Sequence, residues 1–249
     1  MTWQYSRRLG LIVGLAAVLG MASISAGQPS DEQVGRQIER QLSKNEAFRD
    51  VTIWVQEHIA FLNGAVPTLQ AREQAVDEAR TVQGVQGVIS HLIIPSAEND
   101  SVLAPKVSKA IVRYPYFTLF DFVEGTIDKG VVTLTGYVLP TPDKKKAIVR
   151  RVSRVPGVQA IQDEIQVLSP SREDHRLRRA IARRIFRSSH FQRFVTMPNP
   201  PFHIIVHRSV VTLVGVVQSE IERREMERIT RQTQGILRVE SVLEIRTGG

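Results

Sequence analysis

The chain has no cysteine anywhere in its 249 residues. That excludes a disulfide framework, thiolate metal sites, a thiol nucleophile and a lipid anchor on cysteine. The histidines do not form a metal-binding helix pattern: neither H-E-x-x-H nor H-x-x-E-H occurs among the six. His203 and His207 are four apart within a strand-like segment. That places them ~13 Å apart, too far for one ion. No serine lies in G-x-S-x-G, the elbow that would present a nucleophile. The glycines that punctuate the chain are solitary, so no clustered loop is available to cradle a phosphate. These absences remove the usual routes to catalysis. The expectation is a protein that is not an enzyme, with no cofactor and no metal.

What is present is a repeat. Three times an apolar run ends in a glycine, a helix-like stretch follows, and a second glycine precedes a final apolar run. The copies are Ile59 to Gly64 then Gly84, Val131 to Gly136 then Gly157, and Val210 to Gly215 then Gly235. The first glycines are 72 and then 79 residues apart. A period of this size implies serial small units rather than one large domain.

Each copy opens on an amphipathic helical pattern: Val34, Ile38 and Leu42; Leu103, Val107 and Ile111; Leu177, Ile181 and Ile185. Two strand-like runs follow: Val51–Val55, Phe120–Ile127 and Phe202–Val206 first, then the glycine-ended runs. Asp128-Lys129-Gly130 reads as a tight hairpin turn, since glycine supplies positive φ at little cost. Gln56-Glu57-His58 and His207-Arg208-Ser209 lack glycine and are expected to turn differently. Pro67-Thr68, Thr141-Pro142-Asp143 and Ser219 mark the starts of second helices. The closing runs alternate apolar and polar residues over much of their length in the last two copies, as in a sheet with one wet face.

The order is α-β-β-α-β, and the fold class is α+β: three tandem units, each two helices packed on a three-stranded mixed sheet. The expected boundaries are an export signal over 1–27 and units over 31–94, 100–168 and 171–247. Units of roughly 65–75 residues lie near the lower limit for an independent core. Gly64, Gly136 and Gly215 read as structural glycines at bulges or close backbone approaches. Gly84, Gly157 and Gly235 read as left-handed caps at helix ends.

The N-terminus resembles a secretion signal: Arg7 and Arg8, then 14 mostly apolar residues from Leu9 to Ala22, then small residues. An uncleaved anchor is the alternative, although the apolar run is short of the ~20 residues a span needs. Charge is uneven beyond it. Residues 31–94 hold 6 basic and 9 acidic residues, net −3; residues 95–168 hold 10 and 8, net +2; residues 169–249 hold 15 and 8, net +7. Such asymmetry points to a polyanionic partner at the C-terminal end, and in an exported protein that partner is not nucleic acid.

The pattern resembles the BON domain, over nearly all of residues 31–247. It is strongest in Gly130-Val-Val-Thr-Leu-Thr-Gly136 followed by Val155-Pro-Gly-Val158. The third copy keeps Val-Val-Thr-Leu-Val-Gly215, and the first diverges, with Ala60-Phe61-Leu62 in place of the Val-Thr-Leu core. The resemblance implies a periplasmic or cell-envelope protein, akin to osmotically inducible ones, with a role in stress protection. It further implies attachment to phospholipid membranes or interaction with other envelope proteins. Free sheet edges and faces also make oligomerisation an expectation. The motifs of the resemblance are glycines and apolar residues, so no binding residue transfers with it.

Binding candidates come instead from charge. In Arg172–Arg187, helical spacing puts Arg172, Arg176, Arg179, Arg183 and Arg187 broadly on one side and the apolar stripe on another. A row of guanidinium groups suits a phosphorylated surface. Lys144, Lys145 and Lys146, with Arg150, Arg151 and Arg154, form a second cluster. Both sets also fit an ordinary solvated helix face. The long connection 188–201 carries Phe191, Phe194 and Met197 beside Arg193, fit either for a lipid interface or partner pocket or for packing on their own unit.

Overall fold

A computed structural model describes residues 28–95, 99–141, 143–197 and 199–246. The expected leader lies outside the described residues. Among the described residues no helix is long and apolar enough to cross a membrane.

The first unit contains α1 (Asp31–Leu42), β1 (Val51–Gln56), β2 (Ile59–Ala65), α2 (Leu69–Arg80) and β3 (Gly87–Ile93). The second contains α3 (Asp100–Val112), β4 (Phe122–Asp128), β5 (Val131–Val138), α4 (Lys144–Val152) and β6 (Ala160–Val167). The third contains α5 (Arg172–Arg187), β7 (Phe202–His207), β8 (Val210–Val217), α6 (Glu220–Arg231) and β9 (Arg238–Ile245). In each sheet the glycine-ended strand is central, antiparallel to the strand before it and parallel to the strand after α2, α4 or α6. The parallel neighbour follows from the helix: a strand reached by a helical crossover returns in the same direction.

Residues at i, i+4 and i+8 of α1, α3 and α5 are buried, as the apolar spacing predicts. They close on alternate residues of the central strands: Ala60 and Leu62, Val132 and Leu134, Val211 and Leu213. Helices therefore cover one sheet face and leave the other open. The cores of the first two units merge into one cluster, while the third has its own, which takes in Leu119 from the second.

Two local devices recur. At Gly64, Gly136 and Gly215, φ lies between +116° and +124°, and an added Cβ would meet the carbonyl oxygen of Asp50, Phe122 or Pro201 at 2.0–2.3 Å. The sheet closes against backbone there, so only glycine fits. The hairpin turns are the second device. All three have positive φ at both central residues: Glu57 and His58, Lys129 and Gly130, Arg208 and Ser209. The expectation that the glycine-free turns differ is thus corrected. What makes glycine dispensable is a carboxylate from the unit's own first helix. Asp31, Asp100 and Asp174 each accept the two turn N–H groups at 2.7–3.0 Å.

Two smaller corrections concern boundaries. β4 begins at Phe122, because Phe120 turns toward the third unit's core. Gly84, Gly157 and Gly235 have positive φ but lie in the connecting turn beyond the helix, not at its cap.

Candidate functional site

The helix α5 is set by its cap and by its stripe. Ser171 accepts a hydrogen bond from the Asp174 N–H at 3.1 Å, and Leu177, Ile181 and Ile185 are buried. That anchoring turns Arg172, Arg176, Arg179, Arg183 and Arg187 outward, and all five are exposed. Arg176 is held by Glu173 at 2.6 Å, and that hydrogen bond keeps its guanidinium above the ordinary range. Among the described residues no carboxylate pairs with Arg172, Arg179, Arg183 or Arg187. Arg184 is tied down, donating to the Gln232 carbonyl at 3.2 Å.

The neighbouring α6 is also arginine-rich but self-compensated. Glu220 pairs with Arg223 and Arg224, Glu225 with Arg228, and Glu227 with Arg231, all at 2.7–3.0 Å. Hydrogen bonds from Arg223 and Arg224 draw the Glu220 carboxyl below its usual range. The unpaired positive charge of the third unit therefore gathers along α5.

Four of the second cluster's six cations are spent on contacts within the chain. Lys144 is 2% exposed and sits on the wholly buried Asp121, with Nζ at 3.0 and 2.8 Å from the two carboxylate oxygens. This corrects its reading as a polyanion-binding residue: it opens α4 and points inward, where its charge is consumed. Lys145 is spent on Asp163 at 3.3 Å and the Ile165 carbonyl at 2.7 Å. Arg151 donates to the carbonyls of Ala110 and Arg113, and Arg154 reaches Gln70 of the first unit. Lys146 stays exposed. Phe191 and Phe194 are buried against Phe202 of their own unit, and Met197 is left outside.

Asp121 belongs to a junction that sequence reading missed. It also accepts from the Thr118 N–H and hydroxyl and from the Leu139 N–H, at 2.7–2.9 Å. This fixes the segment Phe117–Phe122, which crosses the outer edge of β7: the Ile204 N–H donates to the Leu119 carbonyl at 2.9 Å. Phe117 and Phe122 flank His203, with ring centroids at 5.7 and 5.8 Å. Burial pushes the His203 imidazole below its ordinary value, against the opposing pull of the Thr118 carbonyl and Asp121. Arg178, the inward member of α5, donates to the Val206 carbonyl at 2.6 Å, and burial lowers its pKa despite Asp174 and Asp121 nearby. The available signal was a lone carboxylate inside the apolar run Tyr114–Val123. Its lysine partner, 23 residues on, was not legible.

An open groove between α2 and α4 is lined by Gln70, Arg72, Glu73, Lys146, Arg150 and Asp163, charges of both signs that suit no single anion. Among the described residues no group of His, Asp and Glu has the arrangement to hold a metal.

The family model described as the BON domain matches three times, over residues 30–96, 99–169 and 173–247. No curated protein matches the chain. Among solved structures, CdsD, a structural protein of the type III secretion system of Chlamydia trachomatis, is 13% identical, with 86% of this chain and 92% of that chain covered and a TM-score of 0.25. The periplasmic domain of the type III secretion inner-membrane protein PrgH from S. typhimurium is also 13% identical, with 82% and 99% covered and a TM-score of 0.21. Likeness at that level says nothing of function.

Proposed function

The chain belongs to the BON domain family, and from that premise we propose that it is a non-enzymatic module of the periplasm or cell envelope whose third unit holds an anionic phospholipid surface. The observation that carries this reading is the outward face of α5, where Arg172, Arg179, Arg183 and Arg187 have no carboxylate partner among the described residues while the apolar stripe beneath is used up in the core. A guanidinium can pair two donors with one phosphate, and each basic residue near an anionic membrane gains ~1 kcal/mol. Lys146 adds an exposed charge on the second unit. Attachment of this kind is electrostatic and shallow, so it weakens with salt.

Co-sedimentation of the protein with anionic and neutral vesicles, at low and physiological salt, tests it. Binding to anionic vesicles alone is expected, falling with salt and lost in Arg176→Glu/Arg179→Glu/Arg183→Glu. These side chains are exposed, so the triple variant keeps its melting temperature. Equal binding by the variant, or none by the parent, removes the lipid reading.

A second reading, protein–protein interaction or scaffolding in the periplasm, is favoured by a different surface. The open face of the first sheet carries Trp54 stacked on Phe61, ring centroids 4.9 Å apart, with Trp54 47% exposed.

A further inference from the structure

The three open sheet faces are the same surface in three states. Counting from the bulge glycine, Trp54 in β1, Thr126 in β4 and Ile205 in β7 are equivalent: Val51 pairs Gly64, Val123 pairs Gly136 and Phe202 pairs Gly215. Across each sheet the matching row is Trp54-Phe61-Ile89, Thr126-Thr133-Gln162 and Ile205-Thr212-Glu240. The second row is polar, as a wet face should be. In the third, Ile205 is only 3% exposed. It lies on the face where its neighbour His203 packs between Phe117 and Phe122 of the second unit. The first row is apolar throughout yet open: Trp54 and Ile89 stand in solvent, as does Ile93 further along the same face, at 65%. Large exposed apolar patches of this kind mark interaction sites.

The third unit's face shows what such a surface receives. Its occupant comes from the connection between the first helix and first strand of the preceding unit: Phe117 packs on His203, while Leu119 and Phe120 of the same connection turn to the helix-covered core and the Leu119 carbonyl caps the β7 edge. The first unit has no preceding unit within the described residues. The third unit has the complementary surplus. Its own helix-to-strand connection leaves Val195 and Met197 exposed, beside Arg193. The donor end is the basic one, net +7 over residues 169–249, and the acceptor end is acidic, net −3 over residues 31–94.

We infer that the Trp54–Phe61–Ile89 face is a docking site for a second copy of this chain, entered by that copy's Val195–Met197 connection. This rests on the scaffolding reading and names its partner. The contact is heterologous, head to tail, so it extends to a ring or a filament rather than stopping at a symmetric dimer.

Sedimentation velocity of the purified protein, from micromolar to near-millimolar concentration, tests the inference. The mean mass rises with concentration. Trp54→Glu weakens association by ~tenfold or more, the scale of losing an aromatic anchor, and Val195→Glu/Met197→Glu does the same. Ile93→Glu, at a more exposed position, repeats the effect where strand β1 is undisturbed, and thermal melting of each variant checks its fold. Mixing the Trp54 variant with the Val195/Met197 variant restores one intact contact and yields a complex that stops at two chains. A monomer at every concentration, association indifferent to both sets, or a mixture that stays monomeric overturns the inference. The first of these leaves scaffolding of a foreign envelope protein standing.

Discussion

At Arg208 and Ser209 two ordinary residues hold a left-handed conformation, φ +51° and +62°, that costs roughly 1–2 kcal/mol per residue away from glycine. The Asp174 carboxylate offsets that cost by accepting both turn N–H groups at 3.0 and 2.9 Å. Asp174 is buried, so its removal also strands those donors. Asp174→Ala should destabilise the protein by about 1–3 kcal/mol, the range for unsatisfied buried donors, and chemical denaturation measures it. Ser209→Gly should act oppositely, raising stability by about 0.5–1 kcal/mol, because relief of strain exceeds the added chain entropy. Equal melting of both variants would mean the carboxylate is not what holds the turn. At Gly136 the strain is steric: a methyl group would lie 2.2 Å from the Phe122 carbonyl oxygen. Gly136→Ala is expected to destabilise the protein by about 1–3 kcal/mol, read as a lowered melting temperature.

At the scale of elements, α4 and α5 are both basic helices, and the structure separates them. α5 is 16 residues long and spends its inward positions on Leu177, Ile181 and Ile185, so most of its arginines project outward. α4 is 9 residues long and wedged against α3, β6 and the junction, so Lys144, Lys145 and Arg151 become intramolecular donors. Substitutions in the two helices should therefore divide by phenotype. Arg151→Ala loses its bonds to two carbonyls at the end of α3 and should cost stability, ~1–3 kcal/mol for charged hydrogen bonds, with vesicle binding unchanged. The α5 triple variant should lose binding and keep stability. Thermal melts and vesicle pelleting on the same samples separate the two.

For the whole molecule, the decisive feature is the junction of the second and third units. Asp121 is fully buried and is neutralised by Lys144. Lys144→Met leaves that carboxylate uncompensated and is expected to cost about 3–5 kcal/mol. The same junction makes stability depend on pH. The folded pKa of His203 lies below its ordinary 6.5. The unfolded chain therefore binds the proton first, and stability falls as pH drops from about 6.5 toward the folded value. Around the imidazole stand Asp121, the Thr118 carbonyl and the two phenyl rings, and burial outweighs them. Melting temperature should fall between pH 7 and pH 5, and His203→Phe should flatten that slope. An unchanged slope in the variant would assign the pH dependence to other groups.

The unit order, the helix stripes and the mixed sheet were legible because they are written in local periodicity and in glycines whose geometry admits nothing else. Family membership rests on the same residues. The outward row of α5 was legible too, since helical spacing alone sorts Arg172, Arg179 and Arg183 from Leu177 and Ile181. Only the tertiary structure decided what happens between units. Lys144 reads in sequence like its neighbours Lys145 and Lys146, and burial on Asp121 is a contact across 23 positions with no local trace. Trp54 and Ile205 occupy one position of one repeat, and periodicity treats them alike. One is buried and the other open because the second unit lays its Phe117–Phe122 segment along the third sheet, while among the described residues no such segment reaches Trp54. A repeat specifies its own fold through neighbouring residues, while the fate of its outer faces depends on what the rest of the chain brings to them.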